Sequence, residues 1–201
     1  MNSEYFSQAP ATLVLIGVTV VISLLGWSRP SWWRYMALEP HHMWINHQYH
    51  AIVTSGFLHG DGMHLLFNML TMLFFGVPLE VTVGSQNLLL IYFISLIGGN
   101  LYPYFKYRKQ VDYVAIGASG AVSGILFSFI LFYPLTTIYL FFSLPMPAAL
   151  YAVLYVGYSI YAMRNRNDNV GHEAHLAGAG AGIVATVIVV PQVIEIIANH
   201  F

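Results

Sequence analysis

Long runs without a charged side chain most strongly restrict how this sequence can fold. Tyr5–Ser28, Gly62–Leu79, Val81–Phe105 and Ala174–Ile194 each suit one membrane-spanning helix, which needs roughly 20 predominantly apolar residues. A fifth run, Tyr113–Met163, is too long for one such helix and too short for three. Prolines inside it indicate a break, because proline interrupts helical hydrogen bonding. The runs therefore predict six membrane helices.

Composition places the chain among integral membrane proteins. Apolar residues make up 58% and charged residues 7% of the 201 residues, whereas soluble domains carry about a quarter charged residues. The predicted fold is an all-α, polytopic bundle of six helices in a lipid bilayer, forming one domain over residues 1–201. The spans are predicted at 8–27, 60–79, 86–105, 115–133, 146–163 and 174–196.

Charge and cysteine content exclude several classes of function. The formal net charge of −1 provides no basic surface for nucleic acid. The chain contains no cysteine, which excludes disulfides, thiolate metal sites and a cysteine nucleophile. Tryptophans cluster around the predicted loop between the first two spans, at Trp27, Trp32, Trp33 and Trp44. Indole favours the membrane interface, so this loop is either an interfacial segment or an ordinary aromatic belt.

Polar side chains collect where the even-numbered predicted spans begin. His64 and Asn68 are four residues apart and therefore share a helix face, with His59 just before them. Ser119 opens the fourth span and His175 the sixth. Alternate spans cross the membrane in the same direction, so these groups are expected at similar depth. Polar groups at membrane depth are costly unless they face the interior, which makes them candidates for function.

Glycines indicate that the fourth and sixth spans pack closely. Gly120 and Gly124 form one G-x-x-x-G, and Gly178 and Gly182 form another. This pattern lets helix backbones approach each other. A side chain as short as serine needs such an approach to reach a histidine on another helix.

Together these features predict nucleophilic catalysis. Ser119 would attack a carbonyl, while His175 would act as general base and later protonate the leaving amine. The backbone N–H of Ser119, the His64 side chain and the Asn68 amide would stabilise the oxyanion. The charge-free runs contain no aspartate, so a serine–histidine dyad is expected.

Each feature also has a simpler explanation. Small residues line many membrane helices, and His64 with Asn68 could be a buried hydrogen-bonded pair. The "HEAH" stretch from His172 to His175 resembles a zinc motif but is one residue short of H-E-x-x-H. A metal enzyme or carrier is therefore the weaker alternative, and no metal is expected.

The same residues resemble the rhomboid family of intramembrane serine proteases. Three motifs occur in the family's order: H-x-x-x-x-H-x-x-x-N at His59, His64 and Asn68, G-x-S-G at Gly117–Gly120, and A-H-x-x-G-x-x-x-G from Ala174 to Gly182. The resemblance covers most of the chain from about Thr54 onward.

The resemblance implies proteolysis of single-pass membrane-protein substrates near the bilayer surface, without a cofactor. It puts the nucleophile at Ser119, the base at His175, and the oxyanion contacts at His64, Asn68 and the Ser119 amide. A catalytically inactive relative that binds or escorts membrane clients is the alternative. The implied location is the bacterial inner (plasma) membrane.

Three further positions are expected to line the cavity or lie near the substrate: His59, Gly117 and Ser123. Ser123 departs from the family, which usually has an aromatic residue there that packs on the catalytic imidazole. Its hydroxyl is expected either to accept a hydrogen bond from His175 or to bond back to the carbonyl of Ser119. A second departure is His50 with Ala51, where many relatives have Trp-Arg.

The basic residues and the resemblance predict opposite orientations in the membrane. All seven Lys and Arg residues follow the first, third or fifth span: Arg29, Arg34, Lys106, Arg108, Lys109, Arg164 and Arg166. The positive-inside rule would place these loops in the cytoplasm. The resemblance implies cytoplasmic termini and a site that opens outward. We favour this second orientation, because the resemblance is the more specific of the two.

Overall fold

A computed structural model describes residues 6–140, 143–165 and 170–199. Its helices are α1 (Pro10–Ser28), α2 (Pro30–Met36), α3 (Pro40–Asn46), α4 (Ala51–Thr54), α5 (Gly62–Thr71), α6 (Val77–Val83), α7 (Ser85–Tyr107), α8 (Ser119–Phe132), α9 (Ala148–Asn165), α10 (His172–Val189) and α11 (Val193–Ala198). A 3-10 turn at Ser55–Phe57 follows α4, and a π turn at Met72–Gly76 joins α5 to α6. Tyr5 and Arg166 lie outside the described residues.

Within the described ranges, four helical segments are long and apolar enough to cross a membrane: Pro10–Ser28, Gly62–Val83, Ser85–Tyr107 and His172–Val189. They correspond to the first, second, third and sixth predicted spans. The predicted fourth and fifth spans correspond to α8, which has 14 residues, and α9, which has 18. The prediction of a helical membrane bundle is confirmed.

Several predicted boundaries differ from the structure; the helical segment of the second span, for example, ends at Val83 rather than residue 79. Three of the differences have a local reason. The fourth span begins as a helix at Ser119 rather than residue 115, because the segment before it is extended. The sixth ends at Val189 rather than residue 196, because Pro191 cannot continue the helix and α11 starts separately. The fifth begins at Ala148, after a short antiparallel hairpin of strands β1 (Thr137–Leu140) and β2 (Leu144–Pro147).

Helix α8 lies at the centre of the bundle. It packs against α7 and α10, and every residue from Gly120 to Ile130 is buried. A helix that is apolar on all faces is one that other helices surround. Protein rather than lipid therefore covers most of α8, which carries Ser119 at its first position.

The two G-x-x-x-G motifs face each other, as the sequence predicted. A Cβ atom added at Gly182 would lie 2.5 Å from the Cα of Gly124. One added at Gly178 would lie 2.9 Å from the Cα of Gly120 and would overlap the carbonyl of that residue. Only glycine permits this approach of α8 and α10.

A buried carboxylate connects α6 to the beginning of α1. The Glu80 oxygens accept hydrogen bonds from the backbone N–H groups of Ala11 (2.9 Å) and Thr12 (2.7 Å) and from the Ser85 hydroxyl (2.5 Å). A carboxylate buried among apolar groups requires such partners. Glu80 therefore fixes the position of α1 against the second membrane segment.

The first loop, between α1 and α5, is ordered by its own side chains. The Nε2 atom of His50 lies 2.7 Å from the carbonyl oxygen of Tyr35, and the two rings stack with centroids 4.4 Å apart. His50 is one of the two positions that depart from the Trp-Arg of many relatives. This loop also contacts the segment that precedes Ser119.

Candidate active site

The segment before Ser119 is extended and attached to the first loop. Leu38 and Ala115 exchange two backbone hydrogen bonds of 2.9 Å, which form an antiparallel bridge. Two residues later, the N–H of Gly117 donates to the carbonyl of Ser55 at 3.0 Å. The first loop therefore determines where the chain enters α8 and where Ser119 lies.

Gly117 is required both by its backbone conformation and by a neighbouring ring. Its φ of +117° is one that residues with a side chain rarely adopt. A Cβ atom there would lie 2.7 Å from Cε1 and 2.8 Å from Nε2 of His64. The His64 imidazole therefore lies directly against the backbone two residues before Ser119.

His59 supports the same segment from the other side. Its Nε2 accepts a hydrogen bond from the N–H of Ala118 at 3.3 Å, so Nδ1 carries the proton and donates to Ser23 Oγ at 3.0 Å. Ser23 in turn donates to the carbonyl of Phe57, and the Trp27 indole donates to the carbonyl of His59 at 2.7 Å.

Burial accounts for the protonation state of His59. The residue has 0% exposed surface, and burial lowers its pKa to about 3, with a further contribution from His64. The His59 ring must be neutral for its Nε2 atom to accept a hydrogen bond from the Ala118 N–H. The resemblance led us to expect His59 near the cavity. In the structure its ring is buried and accepts a hydrogen bond from the backbone next to Ser119.

Ser119 and His175 are within hydrogen-bonding distance. The His175 Nε2 atom lies 2.7 Å from the Ser119 Oγ atom. Ser119 is the first residue of α8, and His175 is in the first turn of α10. The short distance between these helices, set by their glycines, lets a serine reach an imidazole. Both residues are half-buried.

The two predicted oxyanion side chains lie on α5. The Asn68 Nδ2 donates one hydrogen to the His64 carbonyl at 2.9 Å, which leaves its second amide hydrogen available. The Asp61 carboxylate caps α5 by accepting from the His64 N–H at 2.8 Å, and this bond lowers the pKa of Asp61. The His59 and His64 rings contact edge to face, with centroids 4.9 Å apart.

Ser123 has a partner that the sequence did not indicate. Its Oγ lies 3.1 Å from the hydroxyl oxygen of Tyr155 on α9. In the part of the chain that the structure describes, it forms neither the expected bond to His175 nor the expected bond to the carbonyl of Ser119. Ser123 therefore links α8 to α9 and does not hold the imidazole.

We expect Ser123→Ala to leave kcat within about threefold of wild type, because its hydroxyl does not orient His175. Tyr155→Phe should remove the same hydrogen bond. The double variant should therefore be at least as stable as the less stable of the two single variants. The coupling energy from this double-mutant cycle should be about 0.5–1.5 kcal/mol in thermal or denaturant unfolding. A larger fall in kcat with Ser123→Ala, about three- to tenfold, would restore the orienting role.

The "HEAH" side chains are engaged in separate contacts. Glu173 accepts from the Tyr107 hydroxyl at 2.6 Å and pairs with Lys106. The buried His172 ring meets the Tyr158 ring edge to face at 5.6 Å and the His175 ring at 6.2 Å. Among the described residues, no three His, Cys, Asp or Glu side chains lie close enough to share a metal ion.

The sequence analysis did not predict the supporting roles of several residues, and it named Trp27 only as part of the tryptophan cluster. These residues are Ser23, Trp27, Leu38, Ser55 and Tyr155. Two of them, Ser23 and Trp27, had a usable signal, because they are four residues apart and form a polar pair on one face of an apolar helix. The backbone contacts of Leu38 and Ser55 have no sequence signal. They depend on which loop meets the segment before Ser119.

Comparison with known proteins gives consistent matches. The profile of the Rhomboid domain matches residues 46–192, more than half of the chain. RHOMBOID-like protein 12, mitochondrial, of Arabidopsis thaliana is 32% identical over 151 residues, covering 68% of this chain and 45% of the relative. Rhomboid protein 1, mitochondrial, of Saccharomyces cerevisiae is 31% identical over 191 residues, covering 90% and 54%.

A bacterial protein is similar over most of the chain. Rhomboid protease AarA of Providencia stuartii is 29% identical over 207 residues, which covers 92% of this chain and 66% of the relative. The chain spans about half the length of the plant and yeast relatives. The match to the family profile includes the segment before Ser119, the glycine-packed helices and His175. The chain therefore belongs to the rhomboid family.

Proposed function

We propose that this protein is an intramembrane serine endopeptidase that cleaves transmembrane segments of membrane proteins through Ser119 and His175. The observation that carries the proposal is the 2.7 Å distance between Ser119 Oγ and His175 Nε2. Membership of a family with relatives named as proteases supports it. The alternative is an inactive relative that binds or escorts membrane clients.

Acylation begins with a proton transfer within the dyad. His175 Nε2 takes the proton of the Ser119 hydroxyl as Oγ forms a bond to the carbonyl carbon of the scissile peptide. The carbonyl π electrons move onto oxygen, giving a tetrahedral oxyanion. The imidazolium then donates its proton to the departing amine, the C–N bond breaks, and an acyl ester remains on Ser119.

The oxyanion needs donors that are already in place. The candidates are the N–H of Ser119, the His64 ring beside Gly117 and the free amide hydrogen of Asn68. Ser119 lies at the start of α8, where the first N–H groups have no partner within the helix. Fixed donors of this kind stabilise developing charge without reorganisation at the moment of reaction.

Deacylation repeats the same steps with water. A water molecule gives its proton to His175 Nε2 and attacks the ester carbonyl, and the second oxyanion uses the same donors. Collapse breaks the bond to Ser119 Oγ, which recovers the proton from His175. The products are a new carboxylate and a new amine, and the dyad requires no cofactor or metal.

The proposed substrates are single-pass membrane proteins, and the proposed site of action is the bilayer. The chain is an integral membrane protein by its apolar helices and its family. The matched relatives come from plant and yeast mitochondria as well as bacteria, so they do not favour a bacterial origin over an organellar one. The bacterial inner membrane stays a prediction.

A combined labelling and cleavage assay tests the proposal. The purified full-length protein in detergent should cleave a fluorescent single-pass substrate, and a fluorophosphonate should attach to Ser119 and stop cleavage. A strong chelator should leave the rate unchanged, because the dyad uses no metal. Absence of both labelling and cleavage, with the substrate still co-purifying, would favour the inactive client-binding alternative. Loss of cleavage on chelation alone would indicate a metal enzyme.

A further inference from the structure

A cavity of about 370 Å³ lies where α3 meets the loop that follows α7. Its lining residues are His41, Trp44, Ile45, Arg108 and Lys109. The Nδ1 atom of His41 lies 3.2 Å from the Arg108 carbonyl oxygen, which joins the two walls. None of these five residues belongs to the candidate active site.

The cavity carries two cationic groups and no acidic lining residue. The Arg108 guanidinium lies over the Trp44 ring, 4.8 Å from its centroid. The ion pairs within the described ranges join Lys106 to Glu173 and His42 to Glu39. Lys106, in the last turn of α7, thus has a carboxylate partner. Arg108 and Lys109, which follow α7, have none among the described residues.

The position of the cavity along the chain puts it at the membrane surface. Helix α7 is apolar and long enough to cross a bilayer, and it ends at Tyr107, one residue before Arg108. Phe105 on its last turn is 60% exposed, and Trp44 and Ile45 on α3 are 51% and 58% exposed. Tryptophan favours the membrane–water interface, so the exposed Trp44 ring is consistent with this position.

We propose that this cavity binds an anionic phospholipid, with the phosphate on Arg108 and Lys109 and the adjoining acyl chain against Trp44 and Ile45. A guanidinium presents paired N–H donors that match phosphate oxygens. Trp44 and Ile45 provide an exposed apolar surface. An acyl chain would cover this surface, whereas a free phosphate would not. A zwitterionic lipid would bring its own ammonium group toward the two cations, which disfavours it.

Native mass spectrometry of the full-length protein in detergent tests the proposal. Phosphatidylglycerol and phosphatidylcholine with identical acyl chains are the probes. One Lys or Arg beside an anionic lipid contributes about a factor of five in affinity. Arg108→Gln/Lys109→Gln should therefore bind phosphatidylglycerol about 25-fold more weakly, and Lys109→Gln alone about fivefold. Phosphatidylcholine should bind weakly and equally to all of these proteins.

A matched control separates the cavity from general positive charge. Arg29→Gln/Arg34→Gln removes two exposed charges outside the cavity lining and should retain phosphatidylglycerol affinity within about twofold. An equal loss in this control, or no loss in either cavity variant, would overturn the proposal. Lys109 is exposed, so Lys109→Gln gives a usable result even if the double variant folds poorly.

A competition experiment separates a lipid from a free phosphate. The water-soluble headgroup glycerophosphoglycerol lacks acyl chains and should need at least about a hundredfold higher concentration than the lipid to occupy the cavity. Displacement of phosphatidylglycerol by this headgroup or by inorganic phosphate at a similar concentration would identify a simple anion site. That result would overturn the lipid assignment.

Discussion

Ser119→Ala and His175→Ala are each expected to lower the cleavage rate by at least about four orders of magnitude. In the proposed mechanism Ser119 supplies the attacking oxygen, and His175 Nε2, which lies 2.7 Å from it, receives the proton. The two groups act as one unit, so the double variant should be no slower than either single variant. Cleavage of the fluorescent substrate measures the rate.

The unfolding temperature of both variants should stay close to that of wild type, because neither change removes much buried apolar volume. A stable Ser119→Ala variant that still cleaves well above background would contradict the assignment of the nucleophile. A variant that loses activity because it no longer folds would not support a catalytic role for the substituted residue. The unfolding temperature of each variant is therefore measured together with its cleavage rate.

His172→Ala is the matched control for His175→Ala. Both histidines lie in the first turn of α10, with ring centroids 6.2 Å apart, but the Ser119 contact belongs to His175. We expect His172→Ala to retain at least about a tenth of the wild-type rate, less than the loss expected for a general base. A loss as complete as that of His175→Ala would assign the base to His172 or to both rings.

Gly178→Ala is expected to have the second largest effect, on stability and activity together. A Cβ atom there would overlap the carbonyl of Gly120, the residue after Ser119, while Gly178 itself is three residues after His175. The added methyl must therefore separate α8 from α10 at the dyad. Overpacking of this kind costs about 1–3 kcal/mol, and a displacement of about 1 Å can cost a hundredfold in rate.

Gly180→Ala on the same helix is its control. A Cβ atom at Gly180 would meet no atom within 4 Å. Alanine favours the helix over glycine by about 1 kcal/mol, so this variant should keep full activity and an equal or higher unfolding temperature. Equal damage in both variants, or wild-type behaviour of Gly178→Ala, would contradict the close-packing explanation of the dyad distance.

The chain by itself determined the membrane class, the candidate residues and the helix contact that joins them. Charge-free runs predict spans because each charge in the bilayer is costly, and this cost depends on local composition alone. The spacing of His64 with Asn68 and of the paired glycines predicts shared faces because a helix repeats every 3.6 residues. From these rules the sequence analysis predicted that the fourth and sixth spans pack closely, and in the structure Gly120 and Gly178 lie against each other.

Only the tertiary structure decided how the backbone around Ser119 is held. The extended backbone at Ala115 depends on Leu38 in a loop far away in sequence, and the His59 bond to Ala118 depends on Ser23 in the first helix. The bond of Ser123 to Tyr155 likewise required α9 to lie beside α8. Such contacts join segments whose own sequences are compatible with many partners. Helix periodicity and burial cost fix the elements, whereas the pairing of distant polar groups is settled only when the packed bundle brings them together.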